Sequence, residues 1–406
     1  QRSSQIPGKF TPGGILEGVY HPGGKVVVRS MTNVPYTVRH MVQLWYYQYP
    51  EYTVKNVMLQ DDAGRETKLA NEGAAGTIQA LVAADPAASR AKTALQTYGG
   101  RVFAVGGAVR DALAGRDPKD IDLMVTGIPP REVEALLGGL KGGRVDVTGK
   151  DFGVFRFRYH GSEVEIALPR RDRNTGEGHK DFEVQADHTM SPEEDLFRRD
   201  FTVNAMAVDL QNGKLVDPYG GQKDLAEGRL RSVRPEALSE DPLRTMRALV
   251  ARARFGLEPD GTTRQEMTKH APALAHLPAE RIREELDKLF AAPDPEGGIR
   301  LAHDTDVLRH FLPEVADCMG YNQNNPHHEQ ELGEHLLSVL RLASQKTDDP
   351  DVRLAALLHD IGKPSSEWVD PVRGTNHFYK KVMDDGTVLG QNHEEVGADM
   401  TANLMD

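Results

Sequence analysis

Of the 406 residues only one is cysteine, Cys318. That excludes an internal disulfide framework and suits the cytoplasm. Tryptophan is almost as scarce, with two, and aromatics make up 6%. No apolar run approaches the ~20 residues that a membrane-spanning helix needs. The first residues lack the basic-then-apolar pattern of a secretory signal. The chain starts at Gln1 rather than Met, which reads as a processed or trimmed piece. Positive charge is also short, with 49 Lys and Arg against 61 Asp and Glu, a net of −12. That balance argues against indiscriminate nucleic-acid binding. Arginine is nevertheless dense at 170–173, 198–199 and 229–254, which leaves local patches able to hold RNA or triphosphates.

What is present sorts into four stretches. Residues 1–98 have Gly/Pro turns, a β-like run at 26–29 and an aromatic cluster around Trp45, Tyr46, Tyr47, Tyr49 and Tyr52. They read as a small packed module of unknown function, followed by Ala-rich helix over 71–98. Residues 99–235 alternate strands with helices. Strands are expected at 102–105, 121–125, 144–148, 154–159 and 164–168, and helices at 108–114 and 132–137. This is a mixed α/β pattern. Residues 236–318 are helical, with helices expected from Asp241 and Pro242 to Phe255 and over 280–290. Residues 319–406 are helical again, over 334–343 and 351–360. Ser191-Pro192-Glu193-Glu194 has the form of a capping box with proline at the first helical position.

The chemistry starts in FAVGGAVRDALAGRDPKDIDLMVTG, residues 103–127. On a strand, residues two apart share a face. Asp120 and Asp122 are then expected side by side, with Ile121 and Leu123 turned into the core. Two adjacent carboxylates repel, and a divalent cation such as Mg²⁺ relieves that while binding substrate phosphates. The Gly106-Gly107 pair lets backbone amides approach a triphosphate. Arg110, one turn on, is in reach of a phosphate or ribose. Glu163 and Glu165 alternate with Val164 and Ile166, so either could add a third carboxylate; Glu165 fits better by position, and a solvated strand face is the alternative.

These residues carry a resemblance. G-G-x-V-R-D followed by D-x-D resembles motif A of the class II tRNA nucleotidyltransferase and poly(A) polymerase family, in the polymerase-beta-like superfamily. RRDFTVNAMA (198–207), DPYGGQKDL (217–225), EDPLRTMR (240–247) and PAERIREEL (278–286) resemble its later motifs, in order. The resemblance runs over roughly 100–315. It implies an α+β protein: a polymerase-beta-like head with a mixed sheet, a helical neck and body, then a helical HD-like domain.

Asp241 and Arg244, three apart on a helix, are expected to share a face. Together they offer acceptors and donors that fit the edge of cytosine or adenine, and G or U would leave buried groups unpaired. The resemblance makes this pair a protein template, and makes Arg199 and Arg247 triphosphate ligands. Asn204 is structural or sugar-contacting. Val250 stands where the family usually has Arg or Gln. Residues 170–185 are similar to the flexible loop of CCA-adding members.

LAALLHDIGKP (354–364) resembles the HD phosphohydrolase core. His359 and Asp360 would be metal ligands, with His335 before and His393 after them. A final Asp of such a site is not placed, and the usual helical tail for the tRNA elbow is missing or cut short. The implied activity is template-independent addition of CCA to tRNA 3′ ends from CTP and ATP with Mg²⁺, and a second metal in the HD-like part. The alternatives are a poly(A) polymerase, or an HD-type phosphohydrolase using the transferase fold to hold RNA.

Overall fold

The structure is a computed structural model. It describes the side chains of residues 74–404 except 117, 119, 148–152, 171–184, 325–329 and 371, and before residue 74 only the backbone of five strands. Residues 1–80 form one compact unit and residues 81–406 another.

In the first unit, β1 (Ser4–Gln5), β2 (Leu16–His21), β3 (Lys25–Ser30), β4 (Asn56–Gln60) and β5 (Glu66–Leu69) make a sheet in chain order. Only β3 and β4 pair in parallel. The β-like run at 26–29 is therefore β3. The aromatic cluster at 45–52 lies outside the described residues. The Ala-rich stretch is helical but in two pieces, α1 (Ala74–Ala84) and α2 (Pro86–Thr97). Pro86 has no N–H to continue α1, so the helix restarts, and Asp85 caps it by accepting the Ala88 N–H at 2.7 Å.

The second unit opens with a seven-stranded sheet of order β14-β13-β6-β7-β10-β9-β8. Its members are β6 (Arg101–Val105), β7 (Asp122–Thr126), β8 (Gly143–Thr148), β9 (Val154–Tyr159), β10 (Ser162–Ala167), β13 (Ala207–Asp209) and β14 (Leu215–Val216). Only β7 and β10 pair in parallel. Residues Val102–Val105 and Leu123–Thr126 are buried on both faces, because this is the middle of the sheet. Helix α2 packs across β6, β9 and β10, beside α4 (Pro130–Gly138). The other face is sealed by Leu196, Ala205 and Ala207 against Phe103, Val105 and Met124. Helix α3 (Gly107–Leu113) follows β6 through a tight turn. The segment expected as a loop at 170–185 contains a paired hairpin, β11 (Arg170–Asn174) and β12 (Phe182–Ala186).

Beyond residue 190 helices dominate, as expected. The capping box at Ser191 and Glu194 is present on both sides and starts α5 (Pro192–Phe197). Then come α6 (Leu243–Phe255), α7 (Ala279–Phe290), α8 (Pro295–Asp304), α9 (Leu332–Ser344), α10 (Pro350–Leu358) and α11 (His393–Met405). Gly256, in the left-handed region at φ 69°, ends α6. One apolar core runs from Phe201 through Met246, Leu249 and Leu289 to Leu336, Leu357 and Ile361. Truncating such a fully buried Leu to Ala costs about 2–5 kcal/mol. Arg353 lies within this layer, 2% exposed. Its guanidinium donates to the carbonyls of Phe290, Ala292, Ser344 and Thr347, which ties the end of α7 to α9 and α10.

Candidate active site

The sheet register assembles the first cluster. Asp122 opens β7, opposite Val105 on one side and Glu165 on the other. Val105 leads directly into the Gly106 turn, so carboxylates and turn share one end of the sheet. The two glutamates differ in their partners. Glu163 is held at the surface by Arg156 at 3.2 Å and by Arg158, which also pairs with Asp146 at 2.6 Å. Glu165 is the strand neighbour of Asp122. Asp120 departs from expectation: it precedes β7 in non-strand backbone, so strand alternation does not place it. Proximity still does. Crowding by the protein raises the Asp122 carboxyl above its ordinary range, and Glu165 adds to the rise. Arg199 opposes it and Asp120 adds last. Asp122 and Glu165 share one strand end with Asp120 just before it, but among the described residues the oxygens of the three do not converge within 4.8 Å of one another, so the carboxylates are gathered without being closed around a metal position.

Gly106 has φ 70°, and a Cβ there would sit 2.5 Å from Nη1 of Arg199. Only glycine fits both the turn and the arginine. The Gly106 N–H donates to Met206 O at 3.1 Å, so amides for a phosphate have to come from Gly107 onward. The Arg199 guanidinium lies against this turn, and its charge acts on Asp122. Burial lowers its pKa, and its Nη1 donates to Asn204 O at 3.4 Å. Arg110 is engaged too. It donates to Asp111 Oδ1 at 2.8 and 2.7 Å and to Asn204 Oδ1 at 2.6 Å. Its two terminal nitrogens each keep a second N–H for a ligand.

The base-selecting pair differs from expectation. Asp241 is not on the helix; its backbone is extended (φ −140°, ψ 100°), and α6 begins two residues later because Pro242 starts the turn. Asp241 accepts from Leu243 N–H at 3.2 Å and from Arg281 at 3.3 Å. Arg244 donates to Ala237 O at 3.0 Å and Arg198 O at 2.8 Å, and burial lowers its pKa. The two side chains are neighbours without a mutual hydrogen bond, each fixed by other partners. Arg247, one turn along, puts Nη1 3.1 Å from Asp200 Oδ2 and remains partly open to solvent. Val250 packs against the apolar core. Asn204 is structural here: it accepts from Arg110 and donates to Asp200 at 3.0 Å. Sequence reading missed Arg281 as the partner of Asp241, although both lie in quoted motifs.

A second cluster gathers on the last helices. Nε2 of His335 (α9) and of His359 lie 3.1 Å apart. Asp360 Oδ2 is 3.5 and 3.2 Å from them, and its Oδ1 is 3.4 Å from Nε2 of His393. Nδ1 of His359 donates to Ala356 O and Nδ1 of His393 to Phe378 O, each at 2.9 Å. That turns the Nε2 atoms of His359 and His393 toward Asp360, the orientation a metal-binding histidine needs. His335, His359 and Asp360 offer ligand atoms within 4.8 Å of one another. The bond to Asp360 raises the His359 pKa, whereas burial lowers that of His335. Burial works against ionised Asp360, but the bonds from His359 and Lys363 prevail and hold it well below the usual carboxylate range. Lys363 was not foreseen. It is buried, 2.7 Å from Asp360 Oδ2 and 3.1 Å from Gln323 Oε1. Its place three residues after Asp360, in a helical turn, was the available signal.

Comparison with known proteins gives a consistent account. Family profiles match at residues 102–231 (poly A polymerase head domain), 256–319 (probable RNA and SrmB-binding site of polymerase A) and 332–406 (HD domain). The Multifunctional CCA protein of Ectopseudomonas mendocina is 42% identical over 66% of this chain and 65% of its own length. That of Nitrosococcus oceani is 41% identical over 66% and 64%. The chain thus spans just under two thirds of the curated relatives it matches. A CCA-adding enzyme in an apo form superposes with a TM-score of 0.53 at 26% identity, over 69% of this chain and 64% of that one. A tRNA nucleotidyltransferase solved with primer tRNA and an ATP analog shares the fold, with a TM-score of 0.51 at 24% identity over 66% and 75%. No described helix is long and apolar enough to cross a membrane. With these matches spanning head, RNA-binding segment and HD domain, the chain belongs to the class II tRNA nucleotidyltransferase and poly(A) polymerase family.

Proposed function

We propose that this chain adds C, C and A to tRNA 3′ ends from CTP and ATP, in the cytoplasm. The observation that carries the reading is the register that sets Asp122 beside Glu165 and opposite Val105, the residue that leads into the Gly106 turn against which Arg199 packs. Asp120, Asp122 and Glu165 would hold Mg²⁺, which when bound supplies charge stabilisation at the α-phosphate. The RNA 3′-hydroxyl attacks the α-phosphorus, the bond to the bridging oxygen breaks, and pyrophosphate leaves. Gly107, Arg110, Arg199 and Arg247 hold and orient the triphosphate. Asp241 and Arg244 read the base, and Arg281 holds Asp241 until the base arrives. The names of the relatives support CCA addition over a poly(A) product.

The experiment is a pyrophosphate-release assay with tRNA lacking CCA, on the intact chain and on Asp120→Ala. Mg²⁺-dependent release by the intact chain and none by the variant supports the reading; equal release by both refutes the assignment of the carboxylates.

A second reading concerns the other cluster and rests on the inward Nε2 atoms of His359 and His393. His335, His359, Asp360 and His393 would hold a divalent metal, and phosphoester hydrolysis is the chemistry such a centre supports.

A further inference from the structure

Where the head meets the neck, three arginines surround one aromatic ring. The Cζ atoms of Arg110, Arg116 and Arg254 lie 4.2, 4.6 and 5.0 Å from the ring centre of Phe255. Among the described residues one carboxylate answers these three charges. Asp111, 4% exposed, accepts from Arg110 and, at 2.9 Å, from Arg254. Arg116 donates at 2.7 Å to the carbonyl of Arg254, a neutral partner. Among the described residues, then, the three guanidiniums outnumber the carboxylates bonded to them. Each cation–π contact contributes only about 0.5–1 kcal/mol at an exposed site. The guanidiniums repel one another, and Arg254 is among the groups that lower the pKa of Arg110. They stay together because Arg110 is fixed on α3, Arg116 just after it, and Arg254 with Phe255 on the last turn of α6.

The cluster is graded. Arg110 is largely enclosed, Arg254 is partly open and Arg116 is exposed. Guanidiniums fixed in place and open to solvent match the planar bidentate geometry of phosphate oxygens. Two further observations choose among phosphates. Arg116 precedes Asp120 by four residues in the chain, on the segment that leads into β7 and its Asp122. Phe255 immediately precedes residue 256, where the family's RNA-binding segment begins.

We infer that Arg116 and Arg254, stacked on Phe255, form a binding site for the phosphodiester backbone of the RNA primer as it passes from neck to head. The site lies outside the motifs that hold the nucleotide, and it depends on the proposed function only for the identity of the RNA. It supplies position and affinity without reading sequence.

The test measures binding of a tRNA transcript lacking CCA to the full chain, by fluorescence anisotropy over a salt series. The proteins are wild type, Arg116→Gln, Arg254→Gln and Arg254→Lys. Each Gln variant is expected to bind about 3–10-fold more weakly near 0.1 M salt. The slope of log affinity against log salt is expected to fall by about one per lost contact, while Arg254→Lys keeps most of it. KM for CTP and ATP is expected to stay unchanged. Arg116 is exposed and bonded to one carbonyl, so its variant reads the site without risk to the fold. Unchanged RNA affinity and slope in Arg116→Gln and Arg254→Gln would overturn the inference. So would a raised nucleotide KM with RNA binding intact, which would assign the cluster to the nucleotide. RNA binding that depends on the two arginines in a protein without nucleotide addition would leave this inference standing while the proposed function fell.

Discussion

Asp200, inside the head, and Arg247, on the neck helix α6, meet at 3.1 Å between Oδ2 and Nη1. Oδ2 meets Arg247 as an ion pair without an aligned hydrogen bond, while Oδ1 of the buried carboxylate accepts from the Phe201 N–H at 2.7 Å and from Asn204 at 3.0 Å. Asn204 in turn accepts from Arg110, so one chain of polar contacts runs from α3, beyond the glycine turn, to α6. Burial disfavours ionised Asp200, but Arg247 and these hydrogen bonds outweigh it and hold the pKa below its ordinary 3.8. A depressed carboxyl contributes stability that is present above its unfolded pKa and lost as pH falls through the folded one. Asp200→Asn is therefore expected to lower stability by about 2 kcal/mol near pH 7. The gap to wild type should close below pH 4 in denaturant melts. A gap that stays constant to pH 2 would show that the charge of Asp200 contributes nothing.

The two glutamates of β10 give a paired prediction. Glu165→Gln should reduce nucleotide addition by roughly 100-fold or more, because it removes a carboxylate beside Asp122. Glu163→Gln should change activity less than about 3-fold, since exposed ion pairs contribute about 0–1 kcal/mol. Steady-state rates on tRNA lacking CCA decide, and the reverse order would mean that the register has been misread as chemistry.

The site was only partly legible in the sequence, and the reasons are physical. Period-two spacing grouped Glu163 with Glu165 and position favoured Glu165; the pairing of β10 with β7 and β9 adds that Glu165 neighbours Asp122 while Glu163 is paired with arginines. The same rule placed Asp120 on a strand that starts only at Asp122. Helical spacing put Asp241 on a face with Arg244, but Pro242 starts the helix, which leaves Asp241 in extended backbone facing Arg281. The strands, the capping box and the helix ending at Gly256 are local patterns, and they were legible. Contacts such as Asp111 with Arg254 or Lys363 with Gln323 join residues far apart in the chain and have no local signature.

Gly106→Ala tests the turn. A methyl group there needs a disfavoured φ and displaces Arg199, so stability should fall by about 1–2 kcal/mol. KM for nucleotides should rise more than kcat falls, read from initial rates. An unaltered KM would separate the Gly106–Arg199 packing from nucleotide binding.

Removing Arg281 should loosen base choice. Arg281→Ala frees Asp241 from its 3.3 Å partner, and discrimination of CTP over UTP is expected to drop about 10-fold. Single-nucleotide incorporation with each triphosphate measures it. Unchanged discrimination would mean that Arg281 does not hold Asp241 for base reading.

The HD cluster should titrate independently of the head. His359→Ala is expected to abolish binding of Mn²⁺ or Ni²⁺ by calorimetry and leave nucleotide addition within about 2-fold. Metal binding that persists in this variant would dismiss the cluster as a metal centre.

The most direct measurement sequences the product. Purified full chain is incubated with Mg²⁺, CTP, ATP and a tRNA transcript ending at its discriminator base, and the 3′ end is read. The account predicts two C residues from CTP alone, a stop after C-C-A with both triphosphates, and no extension of the bare transcript by ATP alone. A ladder of A residues from ATP alone, or no extension in any mixture, would contradict it.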